Sequence, residues 1–233
     1  LNNLFFLFSI SIIISSLSYF FIEQPFRGKR GIDFINRKKV FSYSFSLVLL
    51  LSLSGIYGLF NDGLEKRLTL PNFPRSEDEM SFIRDKIATR TAEDVASIRN
   101  HDQEPFYAIR QYCEKNNLPM DRDKFMKLMD NAGEIIGKFK KSFNRIRPFE
   151  LDKKLNTLPS KTNKTRAYPS GHSAQSRLVA RIMAKRHPEH EVELLKAGDE
   201  CGMGRIKAGF HYLSDHEAGK LLGEKLFAFV KNI

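Results

Sequence analysis

Only two cysteines occur in 233 residues, Cys113 and Cys201, which excludes a scaffold built on disulfides. In an oxidising compartment the two could pair, and a bridge at Cys201 would brace Arg205, four residues on. No segment alternates apolar and polar residues at period two, so no strand is expected, and no internal repeat appears. No three or four His, Cys or Asp residues stand at metal-ligand spacing; His187 and His190 sit in a charged helix junction and read as solvent-facing. Neither a metal nor another cofactor is expected. Aromatic residues do not interleave with basic ones and no nucleic-acid motif appears, so nucleic acid is not an expected partner despite a net charge of +11. That charge is left to an anionic membrane surface or an anionic small substrate. The chain does not open on Met; Leu1 leads almost at once into an apolar run, so the expectation is the C-terminal part of a longer protein.

Charge is missing altogether from residues 4–22 and 41–60. Each run is about the ~20 residues that cross a hydrocarbon core, so two transmembrane helices are expected. A signal peptide would need a basic start and a small-residue cleavage site, and neither is present. The loop between the runs carries Arg27, Lys29, Arg30, Arg37, Lys38 and Lys39, which places it in the cytoplasm. Residues 63–233 would then face the periplasm or the cell exterior, tethered to the inner membrane as a two-pass protein. The stretch from Ser18 through Glu23-Gln24-Pro25 to Arg27 resembles the end of a late helix in the membrane acyltransferase-3 family. That family's acyl-transfer residues lie in early helices not present here, so no acyltransferase activity is expected.

The remainder reads as helix after helix. Residues 63–84 make a Pro- and charge-bearing linker, and an extracytoplasmic domain follows over 85–233. Thr91 before Ala92-Glu93-Asp94 is an N-cap signature, and Pro105 marks a break. Phe125, Leu128, Met129, Ala132, Ile135, Ile136, Phe139 and Phe143 give a strong helical core face. Gly133, Gly137, Lys140, Asn144 and Arg147 form a second stripe, where the glycines admit a neighbouring helix and the cations point the same way until Pro148 stops the helix. A polar loop over 151–168 leads to another amphipathic helix. A helix over 189–203 comes next, and a capping box of Ser214 with Glu217 starts the last one at Asp215. The expected fold is all-α: two transmembrane helices, then a soluble bundle of five or so helices.

Between the loop and its helix lies Tyr168-Pro169-Ser170-Gly171-His172-Ser173. Ser170 as N-cap turns the amides of Gly171 and His172 outward at a positive helix end, which makes an anion cradle. His172 adds a proton donor beside it. Lys140 with Arg147-Pro148 precedes this stretch, and Arg205, His211 and Asp215 follow it. The series K-x6-R-P, P-S-G-H, R-x5-H-x3-D resembles the type-2 phosphatidic acid phosphatase superfamily, which also holds class A acid phosphatases and vanadium haloperoxidases. The resemblance covers roughly residues 85–231.

What the resemblance implies is a phosphoric ester hydrolase that needs no metal. Lys140, Arg147, Ser170, Gly171 and Arg205 would bind phosphate. His211 would be the nucleophile that becomes phosphohistidine, Asp215 would fix its tautomer, and His172 would be the general acid. Its partners would be a phosphorylated small molecule, diphosphate or lipid, and the membrane; homo-oligomerisation stays open. The family usually has Ser where this chain has Gly204, which removes one hydroxyl. Two alternatives compete: a vanadate-dependent haloperoxidase at the same oxyanion site, and a non-catalytic module that grips a phosphorylated envelope component.

Overall fold

A computed structural model describes residues 68–230, which belong to a unit running from Glu65 to Ile233. The two apolar runs, their basic loop and the acyltransferase-like stretch lie outside the described residues. Among the described residues all regular structure is helical, and no helix is long and apolar enough to cross a membrane. The α-helices are α1 (Met80–Ala88), α2 (Ala92–Gln103), α3 (Tyr107–Lys115), α4 (Arg122–Phe143), α5 (Pro148–Leu151), α6 (Gly171–Arg186), α7 (Glu191–Lys207) and α8 (Leu213–Val230). Short 3-10 turns cover Ser76–Glu79 and Pro188–His190.

Local chemistry explains several boundaries. Thr91 and Asp94 close a reciprocal capping box at the start of α2, with bonds of 3.1 and 3.0 Å. Pro105 falls in the break between α2 and α3, as expected. The expected linker over 63–84 is helical from Ser76 onward. Met80 and Ile83 have somewhere to be buried: they join Ala167, Ile206 and Tyr212 in one apolar cluster.

The long helix α4 forms where expected, but its stripes differ from the expected ones. Phe125, Met129, Ala132, Ile136 and Lys140 are its buried positions, so Lys140 extends the core face. A Cβ built on Gly137 would meet nothing within 4 Å and one on Gly133 only Gln175 Nε2 at 3.9 Å, so no helix closes on these glycines. The helix stops at Phe143, where Asn144 turns left-handed at φ 49°. Arg147 therefore lies off the helix, as the N-cap residue of α5, and Pro148 opens that turn instead of closing α4.

Helix α6 is central and packs along both α7 and α8, burying Leu178, Val179, Ala180 and Met183. Helix α7 ends at Lys207, where Gly209 at φ 80° reverses the chain and brings Phe210 and His211 back beneath it. Helix α8 starts at Leu213, two residues before the expected position. The carboxylate of Asp215, its third residue, reaches back to the Tyr212 amide at 3.0 Å. Ser214 does not box with Glu217; its amide and hydroxyl donate to Glu79 at 2.8 and 2.6 Å.

Two smaller expectations also change. Cys113 and Cys201 are buried free thiols, with burial pushing them up to about 11 and about 12. His190 is only partly solvent-facing: its Nδ1 lies 2.8 Å from the Tyr112 hydroxyl and ties the Pro188–His190 turn to α3.

Candidate active site

His211 is 2 % exposed, in the turn between α7 and α8. Its Nδ1 lies 3.0 Å from Asp215 Oδ2, one helical turn on. The carboxylate oxygen accepts, so Nδ1 carries the ring proton and Nε2 presents a lone pair. That lone pair accepts from Arg147 Nη1 at 3.2 Å. Burial first, then repulsion by Arg147 and Lys140, pushes His211 well below the ordinary histidine range. The imidazole is therefore neutral, with Nε2 available as a base or nucleophile.

Asp215 is itself held in place by Arg145, a residue the sequence did not single out. Arg145 Nη1 donates to Asp215 Oδ1 at 2.7 Å, and its Nη2 donates to Glu79 Oε2 at 2.7 Å. Its guanidinium lies between the rings of Phe73 and Tyr212, 4.4 and 3.9 Å from their centroids. Burial raises Asp215 to about 6, and Arg145 opposes that rise. At neutral pH the carboxylate stays ionised.

The cations converge from three elements. Lys140 reaches from the end of α4 and donates to the carbonyls of Arg166 and Ala167 at 2.6 and 3.2 Å. Burial, then Arg147, lowers it to about 7. Arg147 donates from Nε to Thr165 O at 2.6 Å and from Nη1 to Phe210 O at 3.0 Å; burial, then Arg205, lowers it to about 10. The acceptors these two find are carbonyl, hydroxyl and imidazole groups, so two buried cations stand together without a carboxylate bonded to either. Burying such charge is costly until an anion balances it.

Arg205, on α7, is held differently. Its Nη1 donates to Asp102 Oδ1 at 2.6 Å and Nη2 to Thr162 Oγ1 at 2.9 Å, over the Phe210 ring. Asp102 also accepts from Ser160 Oγ, the Lys161 amide and Thr162 Oγ1. Burial alone would raise Asp102, but the bonds from Ser160, Thr162 and Arg205 outweigh it and hold the carboxyl far below its usual range. Arg205 Nε and His172 Nε2 are both buried and find no protein partner. Two such polar atoms in one cluster are what a ligand would satisfy.

The helix start at Ser170 forms as the sequence suggested. Ser170 caps α6 and accepts from the Ser173 amide at 3.4 Å, after a cis Tyr168–Pro169 peptide. Gly171 and His172 fall in the first turn, whose amides lack intrahelical partners. A Cβ on Gly171 would come within 3.8 Å of Lys140 Cε, so the cradle faces the Lys140 side chain. Burial, then Arg205, pushes His172 well below its ordinary range. Gly204 lies against Ile98, where an added Cβ would come to 3.2 Å from Cγ1; the chain gives this place to packing instead of a hydroxyl. All eight predicted site residues come together: Lys140, Arg147, Ser170, Gly171, His172, Arg205, His211 and Asp215. Sequence reasoning missed Arg145, Glu79 and Asp102, and no local pattern marks them.

Residues 128–233 match the model of the PAP2 superfamily, a shorter span than the motifs alone suggested. The chain is 33 % identical over 123 residues to a non-specific acid phosphatase of Salmonella typhi, covering 49 % of this chain and 49 % of that protein. It is 37 % identical over 97 residues to a non-specific acid phosphatase of Salmonella typhimurium, covering 40 % and 39 %. The chain thus spans about half or less of the length of these relatives. Among solved structures it is similar to a transmembrane PAP2 type phosphatidylglycerolphosphate phosphatase from Bacillus subtilis, at 18 % identity and a TM-score of 0.37, covering 81 % of this chain and 92 % of that one.

Proposed function

We propose, from the premise that residues 128–233 are a PAP2 superfamily domain, that this chain hydrolyses phosphoric esters without a metal, through a phosphohistidine at His211. The observation that carries the reading is the neutral Nε2 of His211 set against Arg147 and Lys140, two buried cations bonded to no carboxylate. A phosphoryl dianion supplies the missing charge and presents phosphorus to that lone pair.

In this mechanism Arg147 transfers its Nη1 bond from His211 to a phosphoryl oxygen. Lys140 and Arg205 Nε take the others, with the Ser170 hydroxyl and the α6 amides. Nε2 of His211 bonds to phosphorus while the ester bond to the leaving oxygen breaks. His172, which takes up a proton as the substrate enters, gives that proton to the leaving oxygen, so the alcohol departs neutral. Asp215 stabilises the positive ring. His172, now neutral, takes a proton from water, whose oxygen attacks phosphorus, and His211 is released with inorganic phosphate. The three cations carry the electrostatic work that a metal does elsewhere.

The domain is proposed to stand outside the cytoplasm, tethered by the uncharged runs at 4–22 and 41–60, where phosphate monoesters, diphosphates or lipid-linked phosphates of the envelope are within reach. The test is phosphate release by the full chain from an aryl phosphate in excess chelator, beside His211→Ala. Turnover by the wild type that falls at least about a thousandfold in the variant supports the reading. Equal turnover by both would sink the assignment of His211.

A further inference from the structure

The mechanism uses His211 and leaves another buried histidine unexplained. His216 follows Asp215 on α8 and is 1 % exposed. Its Nδ1 lies 2.9 Å from Ser173 Oγ, and Ser173 Oγ donates to Ser170 Oγ at 2.8 Å. On the other side, His216 Nε2 lies 3.2 Å from Asp199 Oδ1, close enough for an ionic contact though not aligned as a hydrogen bond. Three helices contribute: Ser170 and Ser173 at the start of α6, Asp199 on α7, His216 on α8. The chain of polar groups runs from a partly exposed carboxylate to the hydroxyl of the phosphate cradle.

The packing makes room for this arrangement. A Cβ at Gly202 would lie 2.0 Å from His216 Nδ1 and 2.5 Å from Ser173 Oγ. A residue with any side chain there would displace the ring from the hydroxyl. Around the ring, Glu217 Oε1 lies 4.0 Å from Nε2, and Lys220 Nζ bridges Glu217 and Asp199 at 2.8 and 3.4 Å. Contact with His216, above all, holds Asp199 down at about 2.

Proton direction along the chain follows from the donors. Ser173 spends its hydroxyl proton on Ser170, so its oxygen accepts from His216 Nδ1–H, and Nε2, facing the Asp199 carboxylate, carries the ring's other proton, which makes that contact an ion pair. Ser170 Oγ already accepts from the Ser173 amide and hydroxyl, which leaves its own proton pointing elsewhere. Without His216 the Ser170–Ser173 bond is free to reverse, and Ser170 would then turn a lone pair toward an anion. Ser173 is 1 % exposed and its proton is committed, so the Ser–His–Asp order here is not a nucleophilic triad.

We infer that Asp199, His216 and Ser173 are positioning residues that fix the Ser170 hydroxyl as a hydrogen-bond donor to the phosphoryl group. The inference rests on the phosphate-site reading above.

The test is a cycle on the full chain: wild type, His216→Ala, His216→Asn, Ser170→Ala and the His216→Ala/Ser170→Ala pair. Two quantities are read, the affinity for inorganic phosphate by calorimetry and kcat and KM with an aryl phosphate. His216→Ala is expected to weaken phosphate binding and raise KM about fivefold, with kcat changed less than about twofold. Asn, whose amide can donate, restores much of the loss. In the Ser170→Ala background the His216 substitution has no further effect. Equal losses in both backgrounds, or none in either, overturn the inference. Nitrogen NMR of the wild-type ring gives a check that needs no variant to fold: Nδ1 of His216 must bear a proton, and a bare Nδ1 overturns it. Phosphate binding without turnover sinks the phosphatase reading alone; a wild type that does not bind phosphate sinks both.

Discussion

The reactivity of His211 is decided by what lies behind Asp215. One oxygen of that carboxylate serves His211 and the Tyr212 amide, and the other serves Arg145. Arg145 also bonds Glu79, which in turn holds the first turn of α8 through Ser214. Replacing Arg145 with Met would leave the buried Asp215 and the largely buried Glu79 without the cation they share. It is expected to cost about 3–5 kcal/mol of stability, read by urea unfolding, and to lower kcat as well. Arg145→Lys keeps one charge but not the fork that reaches both carboxylates, and should fall between. The eight motif residues were legible because each chemical pair lies within a few positions, as His211 and Asp215 do. Arg145 was not, because its partner Glu79 is 66 residues away in sequence and nothing local announces the pairing.

At the scale of elements, periodicity and caps reveal which segments are helices but not where the cations leave them. Seven residues from Lys140 to Arg147 look like two turns of one helix. The left-handed Asn144 breaks the run, so Lys140 acts from a helix core face and Arg147 from the cap of the next turn. Periodicity cannot see this, since Asn is compatible with both states. The polar segment after α5 is likewise more than a connector. It folds over the site, with Thr165 and Arg166 holding Arg147 and Ser160 and Thr162 holding Asp102. Asp102 is 103 residues from Arg205, out of reach of any motif. Asp102→Asn should loosen this segment and let Arg205 swing. KM is expected to rise about tenfold, and proteolysis at Lys161 and Lys164 to quicken in a limited-digestion assay.

Across the whole molecule, the buried charges set a pH dependence. Lys140, lowered to about 7, binds an anion only while protonated, so affinity falls as pH rises through that value. His172 is held neutral in the empty site and must gain its acid proton with the substrate, which also favours lower pH. His211 must be neutral to attack, and its lowered pKa keeps it so far into the acid range. These three signs favour lower pH, but Asp215, raised to about 6, must stay ionised to hold His211, so kcat/KM should decline above about 7 and fall again as pH drops below about 6. Lys140→Arg, which does not titrate there, should remove the inflection near 7; the same inflection in the variant would assign it to another group. The all-helical architecture over 68–230 was legible from periodicity and caps. The closure of the site, with Arg147, Arg205 and His211 each at most 2 % exposed, was not, because burial arises from packing between distant segments.

The most direct test of the central claim is to trap the phosphorylated protein. The full chain would be mixed with an aryl phosphate, quenched in alkali within the first turnover, digested and analysed by mass. Phosphohistidine survives alkali and is lost in acid, so the account predicts one phosphoryl group on the peptide carrying His211, removed by acid and missing from His211→Ala. A phosphoryl group on any other residue, or turnover with no phosphorylated peptide at any quench time, would contradict it.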